Sequence, residues 1–532
     1  MMRPIQKYTF NLHLGFRKTM KSYEDHLESL LSKSPGNNCH RASAIFPVFF
    51  DANISMRLLF LNYWLLKRKI DHLLCRLYLR DIKGNTIFKK FFYVDDIRGY
   101  SVDLSRLIGR RYPFGGSLEI EFASPENLVF PYPAVVVHYQ GAHFSTVVHS
   151  AQRTFNDDKD EKESTRTQVL ESGFNIYADK DCAPFLTYIN GPRPLHKKNI
   201  QLAAYNLEQK VIGANLTLSC APFETQYISL EHWKELKEHL NGKAGCIKAV
   251  LPNTSSFPRL LVGNRNRSKG SMSVTHTYYD LTHQKDKNDY WKVPSDVWHP
   301  AALMLPLKES SQYTTRVYFY PIYSPSEFWI DLELYNLEGK LIKKIKEAHH
   351  ISLIPTFSYL DLNSFSKDLD ANALYTFKLI AYTKDGSEIP SRIKVGFDVG
   401  FKSGGTFPCN ICTNFYPANP SFDQKSKAFR WAPLMPPSLK GSIWCHNDAP
   451  KKSYTKSAKI KLNFYREKDM EIISKKIEIA PNATHLITLT EELSHFLGEE
   501  AGWCTFQSDN PYITTYYFSE HSSGVIGGDH GF

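Results

Sequence analysis

The chain has 532 residues, long enough for three or four domains at the usual size of roughly 150 residues and for ordinary buried cores without staples. Its net charge of +11, from 65 basic and 54 acidic side chains, is a mild excess spread over a large surface, and no Lys/Arg block resembles a nucleic-acid arm. Nine cysteines at irregular spacing argue against a secreted disulfide scaffold, and the N-terminus has no apolar core or cleavage site of a signal peptide, so a cytoplasmic location is expected.

Residues 1–38 read as an extension in which 22–34, "SYEDHLESLLSKS", has the pattern of a short amphipathic helix. Four similar stretches follow. The first, 39–156, opens on an apolar segment at 44–50 and passes through the most apolar run, 56–70, which is too short and too soon charged to span a bilayer. A hairpin pattern comes next at 79–87, "LRDIKGNTI", then a short helix at 100–109 with Asp103 as its cap. Strand patterns at 116–124 and 132–139 lead to a closing phrase, "FSTVVHS", at 144–150.

The second stretch, 157–283, begins with a charged linker at 156–165. It repeats the plan with 183–189, the hairpin "AYNLEQKVI" at 204–212 and a helix at 227–242. Ser229 caps that helix, Trp233, Leu236 and Leu240 share one face, and Asn241-Gly242 ends it. Strands at 243–251 and 257–264 precede the closing "SMSVTHT" at 271–277. This copy is short before its hairpin and is expected to lack a strand.

The third, 284–418, follows a polar linker at 281–290 and carries the hairpin "LYNLEGKLI" (334–342), a helix at 359–369 capped by Asp361, and the closing "FPCNICT" (407–413). The fourth, 419–532, follows a polar stretch at 416–429 and carries the hairpin "FYREKDMEI" (464–472), a helix at 486–498 with Thr488 and Glu491 at capping-box spacing, and the closing "VIGGDHG" (525–531). Hairpin, helix and closing phrase recur four times in one order at near-constant spacing, which marks genuine internal repetition. With roughly six to eight short strands and one short helix per copy, the expected fold is all-β: four tandem antiparallel β-sandwich-like repeats, each with one short helix.

The sixth residue of each closing phrase is His149, His276, Cys412 or His530. Three imidazoles and a thiol suit zinc. They converge only if the repeats surround an axis; in a linear string they would stand roughly 30 Å or more apart. Without convergence, the slot is a hydrogen-bonding position in a recurring strand. Cys409 and Cys412 form a lone CxxC with no second pair, and adjacent Cys445 and His446 point to opposite faces of a strand. His138, His143 and His149, and likewise His521, Asp529 and His530, offer base or ligand groups near repeat ends. Aromatic side chains make up 14% of the chain. Tyr278, Tyr279, Trp291 and Tyr416 near linkers, together with Asp529, suit sugar stacking or a protein interface, or the cementing of adjacent units.

No phosphate loop, dinucleotide fingerprint, nucleophile elbow or HExxH motif occurs. The expectation is therefore a non-catalytic multi-domain binding or scaffolding protein with a carbohydrate or protein ligand, and with neither nucleic-acid partner nor membrane span. The alternative is a metal-binding protein or metal-dependent enzyme with zinc held where the repeat-ending strands meet, by His149, His276, Cys412 and His530.

Overall fold

A computed structural model describes residues 39–50, 53–109, 114–130, 133–149, 151–152, 170–251, 259–280, 290–291, 296–390, 393–403 and 407–532. The helix expected at 22–34 and the linkers 156–165 and 281–289 lie outside the described residues. Among the described residues, no helix is long and apolar enough to cross a membrane.

The fold is all-β, built from four copies of one antiparallel sandwich-like unit. The first unit has nine strands: Arg41–Phe50, Ile54–Leu61, Leu74–Asp81, Thr86–Tyr93, Gly99–Asp103, Phe114–Ala123, Val135–Gly141, Phe144–His149 and Ala151–Gln152. Taken in that order, one sheet runs fourth–third–sixth–first–ninth and the other fifth–second–seventh–eighth. The second and third units have the same two orders, and the fourth differs only in lacking a ninth strand. Inward rings fill the space between the sheets, as where Phe60 of one meets Phe122 of the other edge-on at 5.1 Å.

The second unit does not lack a strand. Its first strand is Leu170–Ile176, and the segment at 183–189 belongs to its second strand, Cys182–Ile189. A register shift between Ser172 and Phe174, around Gly173, breaks the alternation by which the first strand would have been read.

Each hairpin turn begins on an Asx side chain or closes through one. The Asp81 carboxylate accepts from the Lys83 and Asn85 amides at 3.0 and 2.8 Å, and the Asn206 amide oxygen accepts from Glu208 and Lys210 at 3.0 and 2.9 Å. The short helix lies between the fifth and sixth strands. Asp103, Ser229 and Asp361 cap it as expected, accepting from Ser105, Glu231 and Asn363. In the fourth unit the cap is Thr490, which accepts from Leu493, rather than Thr488. Thr488 is still paired with Ser442 in the sheet, so the helix cannot begin there. Buried leucines such as Leu104, Leu236, Leu362 and Leu493 fasten these helices to the cores.

The four units form a closed ring. The Thr225 amide of the second unit donates to the Ile82 carbonyl in the hairpin of the first at 3.0 Å. Thr484 of the fourth donates to Leu337 of the third at 2.8 Å. Leu207, in the hairpin of the second unit, packs on a cluster holding Tyr318 and Phe357 of the third. The same contact then joins the ends, because Gly99 of the first unit donates to Arg466 of the fourth at 3.0 Å. A head-to-tail interface that returns to its starting unit is a ring and not a string.

The closing strands line the axis. Phe144–His149 packs against Ser271–His276 and Ile526–His530, and Cys409–Asn414 packs against the same two. Their apolar side chains, including Val147, Val274, Ile411 and Ile526, are buried, each contributing about 1.5–3 kcal/mol relative to exposure. Side-chain bonds tie strand to strand: the Val274 amide donates to Thr146 Oγ1 at 3.2 Å, and Ser273 Oγ donates to the Pro408 carbonyl at 3.2 Å. A Cβ on Gly527 would stand 2.9 Å from the Ser145 carbonyl oxygen, so this close strand approach needs glycine.

Candidate functional site

The repeat-ending residues meet at the axis. His149 pairs with Val136, His276 with Leu261, Cys412 with Gly396 and His530 with Tyr516, so each follows the seventh strand of its own unit. All four line a cavity of about 450 Å³. The His149 ring centroid lies 4.1 Å from that of His276 and 4.7 Å from that of His530. One ligand atom from each of His149, His276, Asp529 and His530 comes within 4.8 Å of the others. Cys412 stands on the cavity wall outside that group, packed in a cluster with Cys246, Tyr318, Tyr320 and Phe357.

The hydrogen bonds fix the imidazoles. His149 Nδ1 lies 2.7 Å from Asp529 Oδ2, His276 Nδ1 2.7 Å from the Thr277 carbonyl oxygen, and His530 Nδ1 2.9 Å from the Gly531 carbonyl oxygen. Carbonyls and carboxylates only accept, so each Nδ1 carries its proton and donates. Arg259 Nη1, which only donates, stands 3.3 Å from His149 Nε2. The Nε2 of His276 is buried without a hydrogen-bond partner. Burial lowers the pKa of His276 well below its ordinary value, helped by the charges of His149 and Arg259. Burial, then His149, also brings His530 down to about 4. For Asp529 burial acts upward, but the charge and hydrogen bond of His149 outweigh it and hold the carboxyl below the usual range.

The cavity has a second layer. Lys67 and Arg68, from the π-helical turn Trp64–Arg68 that follows the second strand of unit one, line it together with Arg259 of unit two, Lys394 of unit three and Arg430 of unit four. Asp and Glu are absent from its lining among the described residues. Lys67 Nζ lies 5.0 Å from the centroid of Trp431, and Arg68 Cζ lies 5.6 Å from that of Phe130. Burial, then the charges of Arg430, Arg68 and Lys425, brings the Lys67 ammonium down to about 8. Arg68 Nε is buried without a hydrogen-bond partner, and so is the Trp431 indole N–H. Tyr63 stacks on Trp431 at 4.6 Å, fixing the aromatic wall.

No protein-family model matches this chain, and comparison with curated proteins finds no match. The chemistry of the cavity must therefore speak through its own residues.

The remaining sequence candidates are dispersed. Tyr416 is exposed and lines the cavity. Tyr278 and Tyr279 pair with Ser172 and Glu171, and Trp291 with Ile389; their side chains lie outside the described residues. Cys409 belongs to the core of unit three while Cys412 faces the Tyr320 cluster, so the CxxC is split between two surroundings. His446 Nδ1 contacts Thr484 Oγ1 at 2.7 Å within unit four. Buried His138 contacts Ser145 Oγ at 2.9 Å, and His521 contacts Ser523 Oγ at 2.8 Å. Sequence reasoning missed the five cations. They come from four units, on a π-helical turn, a loop and two strands, so no local run announces them beyond "LLKRKI" (65–70).

Proposed function

We propose that this chain is a binding protein whose ligand is a small oxyanion-bearing molecule, of the phosphorylated class, taken into the axial cavity. The observation that carries the reading is the charge of the lining: Lys67, Arg68, Arg259, Lys394 and Arg430 with no acidic lining side chain among the described residues. Cations gathered round one cavity repel each other, and an oxyanion offsets that repulsion. Guanidinium groups match phosphate oxygens in pairs. The volume of about 450 Å³ falls in the range of small-molecule sites. A neutral sugar would leave the charge uncompensated, so the oxyanion reading is preferred to a carbohydrate or protein ligand.

The test is calorimetric titration of chelator-treated protein with pyrophosphate, inorganic phosphate, citrate and glucose. Pyrophosphate is expected to bind saturably, more tightly than phosphate, and to weaken with salt. Glucose is expected to give no signal. The double variant Lys67→Gln/Arg68→Gln, on an accessible turn, is expected to lose at least about tenfold in pyrophosphate affinity, equivalent to one charge-assisted contact of about 1.4 kcal/mol. An absence of saturable pyrophosphate binding, or unchanged affinity in the folded double variant, defeats the reading.

A further inference from the structure

We infer that the floor of the cavity is a divalent transition-metal site of the zinc class, with the Nε2 atoms of His149, His276 and His530 as ligands and Asp529 as the residue that orients the His149 ring. The inference goes beyond the oxyanion reading and does not depend on it.

Each imidazole has its Nδ1 proton engaged by an acceptor of fixed position: a carboxylate for His149 and backbone carbonyls for His276 and His530. Metal-bound histidines are held in the same way, since the bond at one nitrogen fixes both the tautomer and the aim of the other. The consequence is an Nε2 lone pair free of its own proton on each of three rings, with the centroids of His276 and His530 lying 4.1 and 4.7 Å from that of His149. That of His276 is buried and unpartnered, which is costly unless something binds it. That of His149 meets a long 3.3 Å contact from Arg259. An ion takes over this lone pair, and the guanidinium then faces whatever anion completes the ion's coordination.

Asp529 is not a fourth ligand. Its Oδ2 accepts from His149 Nδ1 at 2.7 Å and from the His149 amide at 3.0 Å, and its Oδ1 accepts from the His530 amide at 2.8 Å. Both oxygens are already engaged in positioning two of the ligands. Cys412 occupies the corresponding place in unit three but lies outside the convergent group. Three nitrogens leave one tetrahedral position open, at a site in the same cavity that Lys67, Arg68, Arg259, Lys394 and Arg430 line. Zinc accepts such a set at about 2.0–2.1 Å per nitrogen.

The experiment is elemental analysis of the full chain after chelator treatment, reloading with Zn²⁺ in phosphate-free buffer and removal of excess, followed by the visible spectrum of the Co²⁺-loaded protein. One equivalent per chain is expected, with tetrahedral Co²⁺ bands and no thiolate charge-transfer band. His530→Gln, which is less buried than His276→Ala and serves if the latter does not fold, is expected to hold less than about a tenth of an equivalent. Asp529→Asn is expected to retain an ion with about 10–100-fold weaker affinity, and Cys412→Ser to keep it unchanged. Folded wild-type protein that retains no Zn²⁺, or retains one equivalent equally in His530→Gln, overturns the inference. A thiolate band lost in Cys412→Ser overturns the ligand set. The Lys67→Gln/Arg68→Gln variant separates the two proposals: it keeps its ion while losing pyrophosphate, whereas His530→Gln loses the ion and still binds pyrophosphate.

Discussion

Replacing Gly527 by alanine tests the ring where the fourth unit meets the first. The new Cβ would lie 2.8 Å from Ser519 Oγ, 2.9 Å from the Ser145 carbonyl oxygen and 3.1 Å from the Thr146 Cα. The Ser519 hydroxyl can rotate away. The Ser145 and Thr146 atoms are main chain in the closing strand of the neighbouring unit and have no such freedom. Comfortable contact between carbon atoms needs about 3.5–4.0 Å, so the two strands must part by about half an ångström. Overpacking of this kind costs about 1–3 kcal/mol. Chemical denaturation of the alanine variant is expected to show that loss, while Gly115→Ala, whose Cβ meets nothing within 4 Å, is expected to stay within about 0.5 kcal/mol of wild type. Asp529 and His530 lie two and three residues further along the same strand, so Gly527→Ala is also expected to weaken Zn²⁺ retention. A variant as stable as Gly115→Ala would refute the close approach of these strands and with it the packing of the closing strands at the axis.

Acid sensitivity follows from buried imidazoles. Burial brings His138 and His446 down to about 3 and His299, His349 and His530 down to about 4, from an ordinary 6.5. The unfolded chain therefore binds more protons than the folded one between these values; the stability is complete above about pH 6.5 and is lost as pH falls towards 4 and 3. Asp398, raised to about 6 by burial, acts with the opposite sign, its contribution being present at low pH and lost as pH rises through 6, but it is outnumbered. Denaturation midpoints measured from pH 7 to 4 are expected to fall, and His138→Gln is expected to shallow that fall; a flat profile would contradict the sign. Asn447, buried, donates to the carbonyls of Lys456, Ile479 and Ala480 and accepts from Tyr454 and Asn510. Asn447→Ala is expected to cost about 3 kcal/mol in the same assay, because the stranded partners cannot reach water.

Much of the architecture was legible because each unit must solve the same packing problem with its own local sequence. Hairpins, caps and alternating strands are short-range signals, and Asp103, Ser229 and Asp361 act where they were expected. The missed strand Leu170–Ile176 shows the limit, since one bulge at Gly173 erased its period. Thr488 shows another: capping chemistry was present, but sheet pairing with Ser442 claimed the residue first. The convergence of His149, His276 and His530 could be framed from their repeated place, yet only ring closure decides it. The sequence marks Asp529 as a base or ligand, but its hold on His149 is not readable there, because 380 residues separate the pair. The cationic wall was illegible for the same reason. Lys67, Arg259, Lys394 and Arg430 are strangers in sequence and neighbours only once four units have turned round one axis.

A ring assembled from identical separate subunits would be obliged to present the same side chain four times wherever it met its centre. Joining the quarters in a single polypeptide lifts that obligation. Here three quarters offer imidazole, the remaining one offers a thiol turned to other company, and a lone carboxylate belongs to the last quarter alone. The centre can thus be lopsided while the frame around it stays regular.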